Sequence, residues 1–385
     1  MSMTKRLEQH VRHARYVRDE RWLWAVYALV ALAFALVSDL GPHRAWGALA
    51  AVGYAVAAVL ACRVRSRPAA RMAAVAGAVV VPLVSLVTAR LGQLEVAVVE
   101  RSGELLLTTG NPYVTAPAVV ADFNPYLPGM ALLGVLPGDA RWWTGAVFAA
   151  CLAAAGLHRA WLLACPVIAL PLAVGGVDLP VVGLMCLGVV LAGQGRPVGA
   201  GLVLGAAAAL KWTAWPALPV VLTLIVVRRG HWCALRYAAV ALATATATVL
   251  PFAWANPVGF YRSAIAFPLG LADTASPAAS PLPGRLLAAY VPGGEVIALA
   301  LLAVSALLIA VSLVVRPPGR TRTAAARLAL GLGLAMTLMP ATRFGYLIYP
   351  LVLGALASSR AQQHEATPGA TPALPVAPAW EKTLV

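Results

Sequence analysis

Long apolar segments recur along the whole chain, separated by short polar turns. Runs of about 17 or more apolar residues are long enough for an α-helix to cross the hydrocarbon core of a bilayer. Segments of alternating polarity, which are typical of transmembrane β-barrels, are not found. The pattern therefore predicts an all-α polytopic membrane protein with about twelve spans, between 11 and 13. The predicted spans are residues 22–38, 46–62, 72–88, 142–156, 160–174, 180–192, 198–210, 214–227, 237–254, 295–315, 328–339 and 346–357.

Two longer polar segments interrupt this pattern, at residues 93–141 and 255–294. A basic segment, residues 1–21, precedes the first predicted span. An Ala/Pro/Thr-rich tail follows the last one over residues 358–385 and is predicted to be disordered, because it lacks the apolar residues of a core. The sequence therefore predicts one transmembrane domain, residues 22–357, between a basic lead and a disordered tail.

The charges fall on opposite sides of the predicted membrane. The chain is 61% hydrophobic and 11% charged, and its net charge of +15 is at first sight that of a nucleic-acid-binding protein. With the predicted spans, however, 21 of the 29 Lys and Arg residues lie on the side of the two termini, together with only five of the 14 Asp and Glu residues. The positive-inside rule then places both termini in the cytoplasm and both long polar segments outside the plasma membrane. No nucleic-acid partner is needed to explain the charge.

The cysteines and histidines indicate no metal or redox site. The five cysteines lie in or beside predicted spans without CxxC spacing, and the six histidines form no HExxH motif. A free cysteine in a span behaves as a small hydrophobic residue. We therefore predict no disulfide, no zinc site and no redox motif.

The first polar segment contains a group of carboxylates. Residues 95–109 are predicted to form a short helix, on which Glu100 and Glu104 share one face. Glu95 lies about 140° from Glu100 around this helix, so these two side chains cannot both enter one pocket. A solvated helix face, with Arg101 as the ion-pair partner, is the alternative interpretation of this cluster.

Two Asn-Pro-Tyr motifs follow the predicted helix, at residues 111–113 and 124–126. Proline fixes φ, asparagine favours turns, and tyrosine is common at membrane interfaces. The motifs therefore predict two rigid turns at the membrane surface. A binding site and a surface loop with interfacial tyrosines are both compatible with this pattern.

The order of the motifs in this region resembles a known enzyme family. The motifs are EVAVV, ELLLTTGNPY and FNPYLPGMA. Their order is similar to the first active-site loop of GT-C glycosyltransferases, in particular glycosyltransferase family 87, the actinobacterial polyprenyl-phosphomannose-dependent mannosyltransferases. The segments AGLVLGAAAALKWTAWPALP (200–219) and TRFGYLIYP (342–350) also resemble that family, so the resemblance covers roughly residues 90–355.

Two features depart from the family pattern. Glu95 stands where the family usually has aspartate, which moves the carboxylate by one methylene group. Two additional spans precede the loop. Because of them, Asp39 in the first predicted outer turn is a further, remote candidate for the role of the family's acidic residue.

The resemblance implies an inverting transfer of a hexose, with mannose expected, from a polyprenyl-phosphate donor to a glycolipid or glycan acceptor at the outer face of the membrane. One carboxylate accepts the proton of the acceptor hydroxyl, and cations stabilise the departing phosphate. The resemblance implies Glu95 as the base with Asp122 as the alternative, and Lys211 and Arg343 as the phosphate-binding residues. No DxD motif is present, so neither a metal ion nor a cofactor is predicted. The further candidate substrate-binding residues are Glu100, Asn111, Tyr113, Asn124, Tyr126 and Asp178.

Simpler interpretations stand beside these roles. Lys211 near a span end is also explained as a snorkelling residue, and Arg343 beside Tyr346 as an interfacial anchor. For the whole protein, the main alternative is a transporter or flippase of lipid-linked sugars, which would place charges at mid-membrane and often contain inverted repeats. No repeat is found, and the charges lie at span ends and in loops. A membrane scaffold without catalysis is the third interpretation.

Overall fold

The computed structural model describes residues 3–157, 159–274 and 278–359, with side chains from residue 20 onward. Over these residues the fold is helical and contains no strand; the extended pairing that it does contain is a single bridge between Ala279 and Thr342. The predicted all-α class is therefore confirmed. The predicted disordered tail falls, from residue 360 on, outside the described residues.

Most of the helices follow one another with short connections, and the two longer connections lie between α5 and α6 and between α14 and α15. In the first half of the chain they are α1 (Met3–Val37), α2 (Gly41–Leu60), α3 (Arg67–Val75), α4 (Val81–Thr88), α5 (Leu94–Thr109), α6 (Ala131–Gly134), α7 (Ala140–Ala154), α8 (Ala160–Leu163) and α9 (Pro166–Val174). In the second half they are α10 (Asp178–Gly193), α11 (Pro197–Leu210), α12 (Ala217–Arg229), α13 (His231–Ala255), α14 (Pro257–Phe260), α15 (Pro283–Tyr290), α16 (Gly294–Val315), α17 (Thr321–Leu338) and α18 (Ile348–Ala357).

Several of these helices have the length and composition of membrane spans. Within the described residues, five helical segments are long and apolar enough to cross a bilayer: Glu20–Val37, Gly41–Leu60, Val64–Thr88, His231–Ala255 and Gly294–Val315. Three shorter apolar segments are Asp178–Gly193, Pro197–Leu210 and Phe344–Ala357. The chain is thus a polytopic helical membrane protein, whereas the count of about twelve spans stays a prediction.

The N-terminal hairpin of α1 and α2 packs directly on the segment that leads to the first polar region. A π-helical turn, Ala76–Val80, joins α3 to α4. A Cβ atom on Gly53 of α2 would lie 2.5 Å from the Cα of Gly77 in this turn, so the two backbones are in contact. Small residues allow such close crossings in membrane proteins. The hairpin of α1 and α2, which precedes the family-like region, is therefore an integral part of the fold.

Helix α10 lies at the centre of a bundle of helices and is buried on nearly all sides. It packs against α7, α11, α12, α17 and α18. Its sequence is apolar around the whole circumference, as expected for a helix without a solvent face. Because a short turn joins α10 to the antiparallel α11, the start of α10 and the end of α11 lie at the same end of the bundle.

The predicted fifth span, residues 160–174, is not one continuous helix. The chain breaks between α8 and α9, where Pro166 begins α9 without a backbone N–H to continue the helix. Helix α9 has 9 residues, which at 1.5 Å per residue is about 14 Å and less than half the thickness of a bilayer core. The prediction is therefore wrong as one continuous helix, and the crossing of the membrane by this segment stays a prediction.

The two polar segments are themselves ordered. Helix α5 occupies Leu94–Thr109, close to the prediction, and ends at Gly110 with a positive φ of 74°. The second segment contains α14, a π-helical turn at Tyr261–Ala266, and α15. Both segments pack at the end of the bundle that holds the start of α10, and they shape the site described next.

Candidate active site

A buried ion pair joins the start of α10 to the end of α11. The Nζ atom of Lys211 lies 2.5 Å from Oδ1 of Asp178. Lys211 is in an extended conformation between α11 and a short 3₁₀ turn, Trp212–Ala214, so its side chain leaves the helix axis and reaches across to α10. Asp178 lies in the first turn of α10, where the helix dipole favours a carboxylate.

Hydroxyl groups and aromatic rings surround this ion pair. The hydroxyl of Tyr349 donates a hydrogen bond of 2.5 Å to Oδ1 of Asp178. The Oγ1 atom of Thr213 lies 2.6 Å from the Tyr349 hydroxyl. The Lys211 ammonium lies 4.8 Å from the ring centre of Tyr346 and 5.7 Å from that of Tyr126. The cation is therefore held between two aromatic faces, an arrangement that adds cation–π attraction to the ion pair.

A second ion pair joins Arg343 to Glu95. The Nη1 atom of Arg343 contacts Oε1 of Glu95, and the side chains are 34% and 14% exposed. Glu95 lies in the first turn of α5, whose N-cap, Gln93, donates its backbone N–H to the carbonyl of Val174 at 2.9 Å. The side chain of Gln93 also lies 2.5 Å from Nε2 of His43 on α2. The start of α5 is thus fixed from two sides.

The backbone at Arg343 is fixed by its neighbour Thr342. The Thr342 hydroxyl donates to the carbonyl of Met336 at 2.7 Å. Its N–H donates to Ala278 at 3.2 Å, and its carbonyl accepts from Ser280 at 2.9 Å. The second polar segment therefore fixes the backbone directly beside Arg343.

Short segments connect the two ion pairs. Arg343 begins the turn that carries Tyr346, and Tyr349 follows in the first turn of α18. On the other side, the carbonyl of Val174, which holds the start of α5, lies only a few residues before Asp178. The structure thus brings two carboxylates and two cations to one end of the bundle.

The two Asn-Pro-Tyr motifs form matching turns that pack on each other. In each motif the asparagine Oδ1 accepts the backbone N–H of the tyrosine, at 3.1 Å for both Asn111 and Asn124. The Tyr113 hydroxyl donates to the carbonyl of Tyr126 at 2.8 Å, which joins the first turn to the second. Leu127 then donates its N–H to the carbonyl of Leu210 at 3.0 Å. Together these bonds place the ring of Tyr126 beside Lys211.

The first of these turns also lines an open cleft. The cleft has a volume of about 610 Å³ and is bordered by Thr109, Asn111, Tyr113 and Asn256. The amide of Asn111 donates to the carbonyl of Phe252 at 2.9 Å, which ties the cleft wall to α13. Asn111 and Tyr113 therefore line this cleft, and none of the four residues of the ion pairs borders it.

Asp122 is directed toward its own loop. Its Oδ2 accepts the backbone N–H groups of Ala118 and Val119 at 3.0 and 3.1 Å. The hydrogen bonds from Ala118 and Val119, with the charge of Arg101, hold the pKa of Asp122 below its usual value. Arg101 itself donates to the backbone carbonyls of Asp122 and Phe123.

Glu100 has a capping role. Its Oε1 accepts the N–H of Ala140 at 3.1 Å, at the start of α7, while Glu104 is exposed on the next turn. The alternative interpretation, a solvated helix face with Arg101 as the ion-pair partner of the cluster, is therefore not the arrangement found, since Glu100 and Arg101 turn toward helix and loop backbone. The reason is that α5 packs on α6 through Gly103 and Gly134, which brings neighbouring backbone within reach.

Sequence reasoning missed several residues of this site. Tyr349 and Tyr346 contact the charged groups, and Thr213 contacts the Tyr349 hydroxyl. Arg141 is buried with 2% exposure and donates to backbone carbonyls that include Ala173. Tyr349 and Thr213 lie within segments that resemble family 87, but nothing in their spacing indicates which carboxylate they reach. Their role depends on contacts between helices that are far apart in sequence.

The arrangement is suited to a group transfer in which charge moves between the reacting groups. Two carboxylates are available as proton acceptors or hydroxyl ligands, and an ammonium and a guanidinium are available for an anion such as phosphate. Each cation is paired with a carboxylate, so the charged groups balance. This chemistry agrees with a transferase that handles an anionic donor.

Comparison with known proteins identifies the family. The profile of glycosyltransferase family 87 matches residues 110–340, which include both Asn-Pro-Tyr turns, Asp178 and Lys211. Glu95 and Arg343 lie just outside the matched range. Searches of the curated proteins and of the solved structures found no match. Because the family profile covers more than half of this membrane-embedded chain, the protein belongs to glycosyltransferase family 87.

Proposed function

We propose that this membrane glycosyltransferase moves a hexose, with mannose as the expected sugar, from a polyprenyl-phosphate donor to a lipid- or polysaccharide-linked acceptor. The reaction is inverting and uses protein cations in place of a metal ion. The observation that carries the proposal is the pairing of Glu95 with Arg343 and of Asp178 with Lys211 at one end of the bundle. A lipid-phosphate donor keeps its chain in the bilayer and presents its phosphate at such an end.

Glu95 is the proposed base. It accepts the proton of the acceptor hydroxyl while the oxygen attacks the anomeric carbon of the sugar from the side opposite the phosphate. The bond between that carbon and the phosphate oxygen breaks, and both bonding electrons leave with the phosphate. Glu95 lies in the first turn of α5, which Gln93 fixes in place, and a catalytic base needs such a rigid support.

Asp122 is the weaker candidate for the same role. Unlike Glu95, which begins a helix and contacts Arg343, Asp122 is directed at the backbone of its own loop. Its Oδ2 is also occupied within the loop 118–122. We therefore assign Asp122 mainly the role of holding the shape of its loop, and proton transfer is its second candidate role.

Lys211 and Arg343 are the proposed phosphate-binding residues. Charge develops on the phosphate as the glycosidic bond breaks, and fixed cations at that point stabilise the transition state. Arginine offers a planar fork for two phosphate oxygens, whereas lysine acts as a point charge. Burial of Lys211 between Tyr126 and Tyr346 reduces competition from water.

The remaining predicted residues support substrate binding in two ways. Asp178 and Tyr126 lie at the charged groups themselves and are proposed to contact the sugar. Asn111, Tyr113 and Asn124 build the paired turns that carry Tyr126. Glu100 is proposed to act through the position of α7.

The site is proposed to face outward from the plasma membrane, with both termini in the cytoplasm. At the other end of the bundle, Arg229 lies against Gly195, and Arg327 donates to the carbonyl of Arg316. Clustered arginines at one end are typical of the cytoplasmic side.

Product formation by purified protein tests this function. Protein in lipid nanodiscs is incubated with radiolabelled polyprenyl-phosphate mannose and membrane glycolipids, and products are separated by chromatography. We expect a labelled glycolipid from wild type and a loss of product with Glu95→Gln. If labelled donor moves between leaflets of proteoliposomes without forming product, the transporter alternative holds. If neither occurs, the donor assignment is wrong.

A further inference from the structure

We propose that Tyr349, supported by Thr213, is a positioning residue for Asp178. It holds Asp178 as an ionised carboxylate whose Oδ1 accepts hydrogen bonds from the protein and whose Oδ2 is free to accept one from a sugar hydroxyl. The inference rests on the proposed function and extends it to the way in which the sugar is recognised. It concerns a buried phenol that the reaction scheme above does not use.

The hydrogen atoms in this network leave one consistent arrangement. Lys211 and Tyr349 both lie 2.5 Å from the same atom, Oδ1 of Asp178. An ionised carboxylate accepts hydrogen bonds and donates none, so the single hydroxyl proton of Tyr349 is directed to Asp178. Thr213 must then donate to the Tyr349 oxygen, 2.6 Å away. Lys211 and Tyr349 thus donate to the carboxylate directly, and Thr213 donates to the Tyr349 oxygen behind them.

Burial makes this arrangement rigid. Tyr349 is completely buried, and the side chains of Lys211 and Asp178 are 11% and 13% exposed. Inside a protein a charged group without partners is strongly unfavourable, whereas a fully hydrogen-bonded network holds its members in one geometry. Loss of the tyrosine hydroxyl would leave Oδ1 with Lys211 as its remaining donor.

The second carboxylate oxygen is free for a ligand. Among the described residues no hydrogen-bond donor reaches Oδ2 of Asp178, and this atom is not among those that are buried without a partner. It therefore retains access to the space beside the Lys211 ammonium. A neutral hydroxyl that donates to Oδ2 would lie next to the cation proposed to bind phosphate. That position fits a hydroxyl of the donor sugar.

Tyr349 also connects this contact to the other ion pair. It lies in the helix that follows the Phe344–Leu347 turn, and Arg343 directly precedes that turn. The residue that fixes Asp178 and the residue proposed to bind phosphate, Tyr349 and Arg343, therefore lie in one short segment. Removal of the Tyr349 hydroxyl is expected to misplace the sugar relative to the phosphate.

The kinetic test uses variants that change single hydroxyl groups. Tyr349→Phe removes the donor to Asp178, Thr213→Val removes the support behind it, and Asp178→Asn removes the acceptor charge. Tyr237→Phe is the matched control, because Tyr237 is also buried and donates to a backbone carbonyl, that of Leu218 at 3.2 Å. A hydrogen bond to a charged group corresponds to a change of about 10-fold or more.

We expect Tyr349→Phe to lower kcat by about 10-fold or more, with a smaller loss for Thr213→Val, while Tyr237→Phe keeps wild-type kinetics. In the Asp178→Asn background, Tyr349→Phe should have little further effect, because the two residues act as a unit. A donor with the contacted sugar hydroxyl replaced by hydrogen should lose kcat in wild type and much less in Asp178→Asn. Independent, multiplicative losses from Tyr349→Phe and Asp178→Asn would overturn the proposal.

A spectroscopic arm separates failure of this inference from failure of the proposed function. Isotope-edited infrared difference spectra of wild type and Asp178→Asn identify the Asp178 band without any need for turnover. We expect a carboxylate band that shifts in Tyr349→Phe and not in Tyr237→Phe. A protonated Asp178 or an unshifted band refutes the inference even in an active enzyme. An inactive wild type with the expected band shift rejects the proposed function and, with it, the sugar contact at Oδ2.

Discussion

Arg343→Ala is the variant that most directly separates a catalytic cation from a membrane anchor. It removes the partner of Glu95 and, in the proposed reaction, one of the two groups that stabilise the departing phosphate. If Arg343 serves only as an interfacial anchor, the change affects stability alone. If it binds phosphate, turnover falls by much more than stability accounts for.

The structure sets the expected size of both effects. Breaking a fully buried ion pair costs about 3–5 kcal/mol, while exposed pairs contribute about 0–1 kcal/mol. Because the Arg343 side chain is 34% exposed and that of Glu95 is 14% exposed, we expect a loss of about 1–2 kcal/mol in the free energy of unfolding. Loss of one donor to a developing oxyanion lowers kcat by about 10²–10³-fold, or about 2.7–4 kcal/mol.

The assay measures kcat, KM for the lipid donor and thermal unfolding on the same nanodisc samples. Arg343→Lys should recover part of the loss, since a point charge replaces a two-pronged fork. The exchanged variant, Glu95→Arg with Arg343→Glu, serves as the matched control. It can restore the ion pair, and with it the stability, but the base and the cation have exchanged positions. Recovery of turnover in the exchanged variant, or unchanged turnover in Arg343→Ala, would refute the reasoning.

Three further predictions concern the base, the loop and the topology. Glu95→Gln should keep folding and donor binding and lower turnover by about 10²–10⁴-fold, with Glu95→Asp more active than Glu95→Gln; single-turnover kinetics measure this. Asp122→Asn should retain most of the activity. Because the folded-state pKa of Asp122 is lowered, its contribution to loop stability is present above its ordinary pKa and is lost as pH falls through the depressed value; hydrogen exchange of the amides in 118–122 should show this loss in wild type and not in Asp122→Asn. A cysteine at the exposed Thr109 should react with a membrane-impermeant reagent from outside, while one at the exposed Ser358 should not; Ser358 is used because the neighbouring Ser359 is buried. The reverse pattern would invert the proposed orientation.

Features that depend on local sequence were predictable. The all-α class follows from the apolar runs, and α5 follows from a helical pattern that ends at Gly110, where the positive φ favours glycine. The rigid turns at the Asn-Pro-Tyr motifs follow from proline and asparagine chemistry, and each asparagine does accept the N–H two residues on. In these cases the interacting groups are neighbours in the chain.

Contacts between distant elements were not predictable in the same way. Tyr349 and Asp178 are separated by 171 residues, and a single sequence contains no signal for their contact. Arg101 was expected to pair with a neighbouring carboxylate on its helix but instead donates to loop carbonyls. Carbonyl groups left without partners in a packed loop are strong acceptors, and their position depends on the tertiary fold.

The pairing of base and cation has a consequence for the proposed reaction. A sugar linked to a polyprenyl phosphate has one negative charge, and the phosphate that leaves after transfer gains a second one when fully ionised. At the same time Glu95 takes up a proton and loses its negative charge, so the total charge at the site is unchanged. As Glu95 becomes neutral its attraction for Arg343 falls, and the guanidinium becomes available at the moment when charge develops on the phosphate. In the proposed reaction, the Glu95–Arg343 contact therefore couples proton transfer to leaving-group stabilisation.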